Sequence, residues 1–483
     1  MWKIYKNTGF MVWSGGVNMI NSLLVWAVIA RYLGPTTFGH FTLIMAIYVV
    51  FFNVCSLGLG PFIVREVTGG EEDRQSFIRS VTIILIAGGI LSSALMSATG
   101  LVLGVAPEVL KPLSLLSLSL IATSLIAKYE SLLIARERAS VIAGVNTGEN
   151  VLKALVPWWV VSRGGGLLAV CTAFVILRFG TLIAYRLMVR AGGSFGWPDA
   201  REMVRVLKQV PWFLLINLSA GLHWQLGIIL LSQWRGAIDV ASYGAASRLL
   251  TPWTLLCVSY ATSVNPTLCR LATDSLTRMG RFCQRAMTDL LLLLLPLAAG
   301  TCLLGRPIIE LIFGPEYLSA VAPLKILIWT LVPLGLVLLL ARSLIAVHKQ
   351  QIDFWTNVMA LGTNLILNVW LIPRYGAAGA AGAQLASVTL LLAIQSMYVS
   401  RRLFPVHLVI AGRLALATAM MAGLIIVLGV RALWSAVPVG VISYAGCLFV
   451  LGWRPRFTRW DSLGSPSPSA VSHLMRSTGE IER

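Results

Sequence analysis

An all-α polytopic membrane protein is the fold class this sequence predicts: about 14 transmembrane helices, as two pseudo-symmetric six-helix lobes followed by two C-terminal helices. Three observations predict it. Hydrophobic residues make up 57% of the chain and charged residues 12%, with a mean hydropathy of +0.82; soluble domains hold about 25% charged residues. The apolar residues come in separated runs long enough to cross the hydrocarbon, which takes roughly 20 helical residues. Lys and Arg gather in alternate loops, the pattern of the positive-inside rule.

In order, the runs fall at 10–33, 38–60, 80–104, 113–134, 141–161 and 167–189; then 210–232, 240–264, 287–304, 321–346, 354–373 and 377–399; then 408–429 and 434–452. The first six build an N-lobe over 1–189. The first span carries Ser14, Asn18, Asn21, Ser22 and Val25 at spacings of 3 and 4, one side of a helix. Gly34–Pro35 then makes a tight turn, and Gly39 permits close helix contact. The fifth span is the most informative. Asn146, Glu149, Asn150 and Lys153 share one face near its middle.

Residues 190–209 are too polar to cross. Pro198–Asp199 opens a short basic amphipathic helix there, expected on the cytoplasmic surface as the linker between lobes. Six spans on either side of it are an even number, so both groups start from the same face and a parallel repeat is allowed. A shift of 202 residues lays Gly34 on Gly236 and Phe41 on Tyr243. The C-lobe covers 210–400. Its first span carries Asn217, Gly221, Trp224 and Gln225, with His223 beside them, and its second Tyr243, Ser247, Arg248 and Thr251. Gly314–Pro315 makes another tight turn, and the Gly/Ala-rich stretch 376–382 lets helices pack closely. Two further spans occupy 401–452. The tail 453–483 contains SPSPS and no periodic apolar face, and is expected to be disordered.

With the N-terminus inside, the cytoplasmic segments hold 24 of the 38 Lys and Arg and the opposite loops hold 7. This predicts both termini in the cytoplasm and a multi-pass protein of the cell inner (plasma) membrane. It also accounts for most of the net charge of +19 without any nucleic acid. The N-terminus lacks a cleavage site, so no cleaved signal peptide is expected. Seven cysteines, mostly inside apolar runs, show neither a disulfide framework nor metal spacing. No phosphate-cradling GxxxxGK[ST] loop is present, and no cofactor is expected. The longest outer loop, Gly305 to Ala320, has only Glu310 and Glu316 as acids, which argues against an enzyme.

Charges at mid-membrane depth are costly, about 2.5–3.5 kcal/mol each on insertion scales, and they face a cavity or a partner. Lys128, Lys153 and Arg248 lie deep in their spans; the acids there are Glu130, Glu149 and Asp289. Glu149 and Lys153, four apart, can neutralise each other as a structural pair. The wider excess of bases points instead to an anion-binding chamber. Its expected cations are Arg31, Lys128, Lys153 and Arg248, with Asn18, Asn21, Asn146, Asn150, Asn217 and Gln225 as neutral polar lining. Glu149 and Glu130 are the carboxylates available for coupling to a proton or sodium gradient.

ARYLGPTTFGHF (30–41) and GLGPFIVREV (58–67), followed by LIFGPEYLSAVAPLKILIW (311–329) and NLILNVWLIPRYGAAGAAGAQLAS (364–387), resemble segments of the oligosaccharide flippases. These form the polysaccharide transporter family of the multidrug/oligosaccharidyl-lipid/polysaccharide (MOP) superfamily, with the MATE transporters and lipid II flippases. The likeness spans roughly residues 5–400. It implies a MATE-like fold that flips an undecaprenyl-diphosphate-linked oligosaccharide, a repeat unit of O-antigen, capsule or exopolysaccharide, between leaflets by alternating access. Membrane lipid, a polysaccharide polymerase and a chain-length regulator are the partners it implies. A MATE-type proton- or sodium-coupled exporter of small molecules and a lipid II-type flippase are the alternatives.

Overall fold

The computed structural model describes residues 2–68, 74–189, 200–208, 210–406, 409–428 and 433–450, without the side chains of 2–22, 74, 200–201, 211–213, 215–217, 219–220, 409–411 and 433. Most of the 190–209 linker and the 453–483 tail therefore lie outside the described residues, as do the side chains of Asn18, Asn21 and Asn217.

Within the described residues the secondary structure is helical. In a hydrocarbon solvent every backbone N–H and C=O must find its partner within the chain, and a helix does this locally. The elements are α1 (Trp2–Cys55), α2 (Gly60–Thr68), α3 (Arg74–Val102), α4 (Pro107–Ser117), α5 (Ser119–Ala135), α6 (Ala139–Ser162) and α7 (Leu167–Val189). They continue with α8 (Ala200–Leu207), α9 (Val210–Trp234), α10 (Ala237–Asp274), α11 (Leu276–Leu303) and α12 (Gly305–Ile312). After a 3₁₀ turn at Pro315–Ala320 come α13 (Val321–Leu327), α14 (Leu331–Ala346), α15 (Gln350–Arg402), α16 (Val409–Val427) and α17 (Leu433–Val450).

Over the described residues each of the fourteen apolar runs is recovered as helix to within a few residues of its ends. Two pairs of runs are fused end to end. The first two form α1 and break at Gly34 (φ 75°, ψ 168°), a conformation open essentially to glycine alone. The eleventh and twelfth form α15 and break at Gly376 (φ 54°, ψ −132°). The fourth run is divided at Leu118 into α4 and α5.

The bends repeat along the chain. Positive-φ glycines stand at Gly34 and Gly236, at Gly104 and Gly314, and at Gly164 and Gly376, pairs 202, 210 and 212 residues apart. Glu137 and His348, both in the left-handed region after a helix, are 211 apart. A near-constant offset at turn after turn is the mark of an internal duplication of six spans, and it carries the pseudo-symmetry far better than the faint sequence match does.

The chain divides into two compact units. One gathers Met1–Pro252, Ile309–Leu324 and Leu361–Gln384. In it α6 packs along α1 and α7, α5 lies on α3 and α7, and α9 runs against α1. Gly39 of α1 comes so close to the start of α10 that a Cβ there would sit 1.9 Å from the Ala237 carbonyl oxygen. A core of Leu59, Phe62, Ile63, Phe77, Val81 and Tyr185 also takes in the fully buried Val206 of α8. Arg205, beside it, reaches Glu66 of α2 at 2.7 Å. The other unit gathers Trp253–Ile308, Lys325–Ala360 and Leu385–Arg483. There α11 packs on α14 and α16, and α16 on α17. Val337, Ala360 and Leu391 form a small core, and Gln395 Nε2 donates to Asp353 Oδ1 at 2.8 Å.

Candidate functional site

The polar face of α6 is the start of the site. Its helical spacing sets Glu149 one turn from Lys153, and the ammonium stands 2.7 Å from Glu149 Oε1. A second cation meets the same carboxylate. Arg178 of α7 donates from Nη1 to Oε1 at 2.8 Å and to Oε2 at 3.0 Å. Its own guanidinium is oriented by Nε donating to Thr123 Oγ1 of α5 at 3.0 Å and by the Phe52 ring of α1, 5.6 Å away. Four helices thus hold one ion cluster. The Glu149 and Arg178 side chains are only 5% and 11% exposed, while Lys153 keeps 29%. Two cations on one carboxylate leave the cluster with a net charge of +1.

A third cation stands on α10. Arg248 lays its guanidinium over the Trp26 ring, 3.5 Å from the centroid. An arginine on an indole face gains cation–π attraction and is still free to bind an anion. Its Nε is buried without a hydrogen-bond partner, and among the described residues no carboxylate comes within 4.0 Å of it. Trp26 is itself wedged by aromatic neighbours: Phe38 edge-on at 5.9 Å and Phe41 at 4.9 Å.

Between α1, α6 and α7 a cavity of about 120 Å³ is lined by Val25, Trp26, Phe41, Met45, Asn150, Lys153 and Phe174. Of the residues expected from the sequence, Lys153 and Asn150 line it; Arg248 does not, but lies over the ring of Trp26, which does. The rest stand elsewhere. Lys128 is buried with Nζ donating to Thr82 Oγ1 at 3.2 Å and lies over the Tyr129 ring at 4.4 Å. Glu130 accepts from Tyr185 Oη at 3.0 Å and from Asn146 Nδ2 at 3.2 Å, a network with no cation in salt-bridge contact among the described residues. Gln225 has a buried Oε1 without a partner. Arg31, at the end of the first span, donates from Nε to the Ile312 carbonyl at 3.0 Å and from Nη2 to that of Leu311. There Tyr317 Oη donates to the Ala30 carbonyl at 2.8 Å, and Phe38 packs on Phe313 and Tyr317. Arg31 thus ties the end of the first span to the last turn of α12, where unpaired carbonyls favour a cation.

Arg178 is the member that sequence reasoning left without a role. Its signal was present: a lone arginine in the middle of the apolar run 167–189. Its partner lies 29 residues away on another helix, which no local spacing encodes.

A model of the polysaccharide biosynthesis protein family matches residues 28–322. The probable flippase AglR of Haloferax volcanii is 28% identical over 308 residues, 61% of this chain; the match spans 63% of that relative's own length, less than two thirds of it. Among solved structures, the lipid II flippase MurJ in an inward closed conformation superposes with a TM-score of 0.77 at 17% identity, covering 92% of this chain and 98% of that one. An inward-facing multidrug resistance MATE family transporter of the MOP superfamily gives 0.61 at 13% identity, covering 80% and 94%. The chain therefore has the fold these transporters share, and it is a multi-pass membrane protein that belongs to the polysaccharide biosynthesis protein family.

Proposed function

We propose that the protein is a flippase, not an enzyme, which carries an undecaprenyl-diphosphate-linked oligosaccharide from the cytoplasmic to the outer leaflet of the inner membrane by alternating access. The observation that carries this reading is the surplus of positive charge around the cavity. Glu149 answers two cations, and among the described residues Arg248 has no carboxylate in salt-bridge contact. Uncompensated cations in a low-dielectric setting are costly unless an anion completes them. A diphosphate does so, through charge-assisted bonds to guanidinium and ammonium. A site for organic cations would need the opposite sign. Membership of a polysaccharide biosynthesis family and the likeness to a probable flippase support a flippase in the making of a polysaccharide. Both termini lie in the cytoplasm in this reading, the two six-helix lobes at 1–189 and 210–400 move about the 190–209 linker, and a polymerase and chain-length regulator act on the flipped product.

Arg248 and Lys153 hold the diphosphate, and Arg178 and Glu149 hold Lys153 in place. Arg31 fastens the end of the first span to α12, and Lys128 supports the field from α5. Ion coupling passes through Glu130, whose partners are the neutral Tyr185 and Asn146; Glu149 is committed to its two cations. The test is reconstitution into vesicles with a fluorescent lipid-linked diphosphate oligosaccharide, reading the fraction of label reached by an external quencher. Arg248→Ala and Lys153→Ala are expected to slow transbilayer movement at least tenfold with insertion unchanged. Wild-type rates in both variants would overturn the reading.

A further inference from the structure

We infer that the protein holds a net-negative phospholipid at each of two matching places, where an arginine ends a lipid-facing run: one at the end of α6, the other just before the bend in α15. The inference goes beyond the flippase reading and does not depend on it.

Two copies of one feature carry it. Arg163 lies over the Trp159 ring, 5.0 Å from the centroid, and Arg374 over the Trp370 ring, 4.4 Å from its centroid. Each arginine stands four residues after its tryptophan, one helical turn along. The second pair follows the first by 211 residues, within the range of offsets that relates the glycine bends. The likeness extends beyond the pairs. Over the nine residues that end at each arginine, 155–163 and 366–374, buried, half-buried and exposed positions fall in the same order, residue for residue. Leu155, Trp158 and Trp159 are exposed in the first run and Ile366, Val369 and Trp370 in the second, with the two tryptophans 54% and 57% exposed.

The earlier part of α6 does not repeat in this way. At the same offset Glu149 and Asn150 fall on Ala360 and Leu361, and Lys153 falls on Asn364. The ion cluster therefore belongs to one half, while the outward face has the same chemistry in both. A face shared by two halves whose inward faces differ serves a purpose apart from the cavity.

The residues of that face name the ligand. From Leu155 to Arg163, and from Ile366 to Arg374, the run covers about 12 Å of helix, room for the upper part of an acyl chain. At its end a guanidinium resting on an indole gains cation–π attraction and keeps its N–H donors. Among the described residues no carboxylate is in salt-bridge contact with either arginine. Open guanidinium donors suit phosphate oxygens. The uncompensated charge favours a headgroup whose phosphate is not balanced by an amine of its own. A free phosphate would meet the arginine and leave the apolar run without a role, whereas a phospholipid meets both. In a parallel repeat the two runs end in the same leaflet, so both places draw on one pool of lipid.

Native mass spectrometry of the full chain, delipidated in detergent and titrated with phosphatidylglycerol or phosphatidylcholine of the same acyl chains, tests this. Wild type should take up two phosphatidylglycerols, each at least about fivefold more tightly than phosphatidylcholine, the gain of a basic residue at an anionic lipid surface. Arg163→Gln and Arg374→Gln should each lose one of the two, and the double variant should lose both. Lys111→Gln, which removes an exposed charge outside either run, should keep both. Excess inorganic phosphate should displace neither lipid. Equal uptake of the two lipids by wild type overturns the inference, as does a wild-type preference in the double variant or the same loss in Lys111→Gln. Displacement by phosphate also overturns it, since the arginines would then bind the anion without the lipid.

Discussion

Glu149→Gln is the substitution that separates a structural carboxylate from a coupling one. The change keeps shape and removes one charge from between two cations. The Arg178 pair lies at 2.8 and 3.0 Å with partners 11% and 5% exposed, which places it among buried pairs; breaking such a pair by removing one partner costs about 3–5 kcal/mol. The Lys153 pair, at 2.7 Å, has 29% of the lysine in contact with its surroundings, so its loss is nearer that of an exposed pair, up to about 1 kcal/mol. Left alone, Lys153 and Arg178 also repel each other. The single variant should therefore lose about 3–5 kcal/mol, mostly through the stranded Arg178. Removing that cation too should return most of it, so Glu149→Gln/Arg178→Met is expected to melt above Glu149→Gln alone. Thermal midpoints of the detergent-solubilised proteins at one fixed scan rate give the ranking: wild type, then double variant, then single. Were Glu149 a group that works by gaining and losing a proton, glutamine would imitate its neutral form and the protein would melt as wild type does. That result, or a double variant no better than the single, refutes the ion-cluster argument.

Two other substitutions probe the packing. Gly39→Ala would put a methyl 1.9 Å from the Ala237 carbonyl oxygen, driving α1 and α10 apart with a loss of about 1–3 kcal/mol; Gly446→Ala, with nothing within 4 Å of the new methyl, is the control and should leave the thermal midpoint unchanged. Arg205→Ala removes the 2.7 Å bridge to Glu66, but the arginine side chain is 43% exposed, so the expected loss is below about 1 kcal/mol, read as a small midpoint shift that disappears in high salt.

The spans were legible because hydropathy is a local property and a bilayer imposes one length on every crossing. The Glu149–Lys153 pair was legible for the same reason, since spacing by four is written in a single helix. What stayed hidden depends on contacts between helices. Arg178 finds Glu149 across 29 residues, and Arg31 finds the carbonyls of Leu311 and Ile312 some 280 residues away. The polar stripes were also less telling than their composition promised. In the stripe on α10, Ser247 turns its hydroxyl back onto the Gly244 carbonyl at 2.9 Å and Thr251 onto that of Ser247 at 3.5 Å, so a polar residue in a span can be satisfied within its own helix and mark no cavity at all. Charge is no surer a guide than polarity: Lys153 and the neutral Asn150 both line the cavity, while Lys128 and Arg31 are held by Thr82 and by the Ile312 carbonyl.

The evenly recurring glycine bends bear on how such a chain enters a bilayer. Each reversal is set by the dihedral angles of one residue and its immediate neighbours, so two successive crossings can fold back on each other as soon as both have left the ribosome. Nothing synthesised later is required. Assembly can then proceed hairpin by hairpin, with the ionic cluster closing only after Leu167–Val189 has followed Ala139–Ser162 into the lipid.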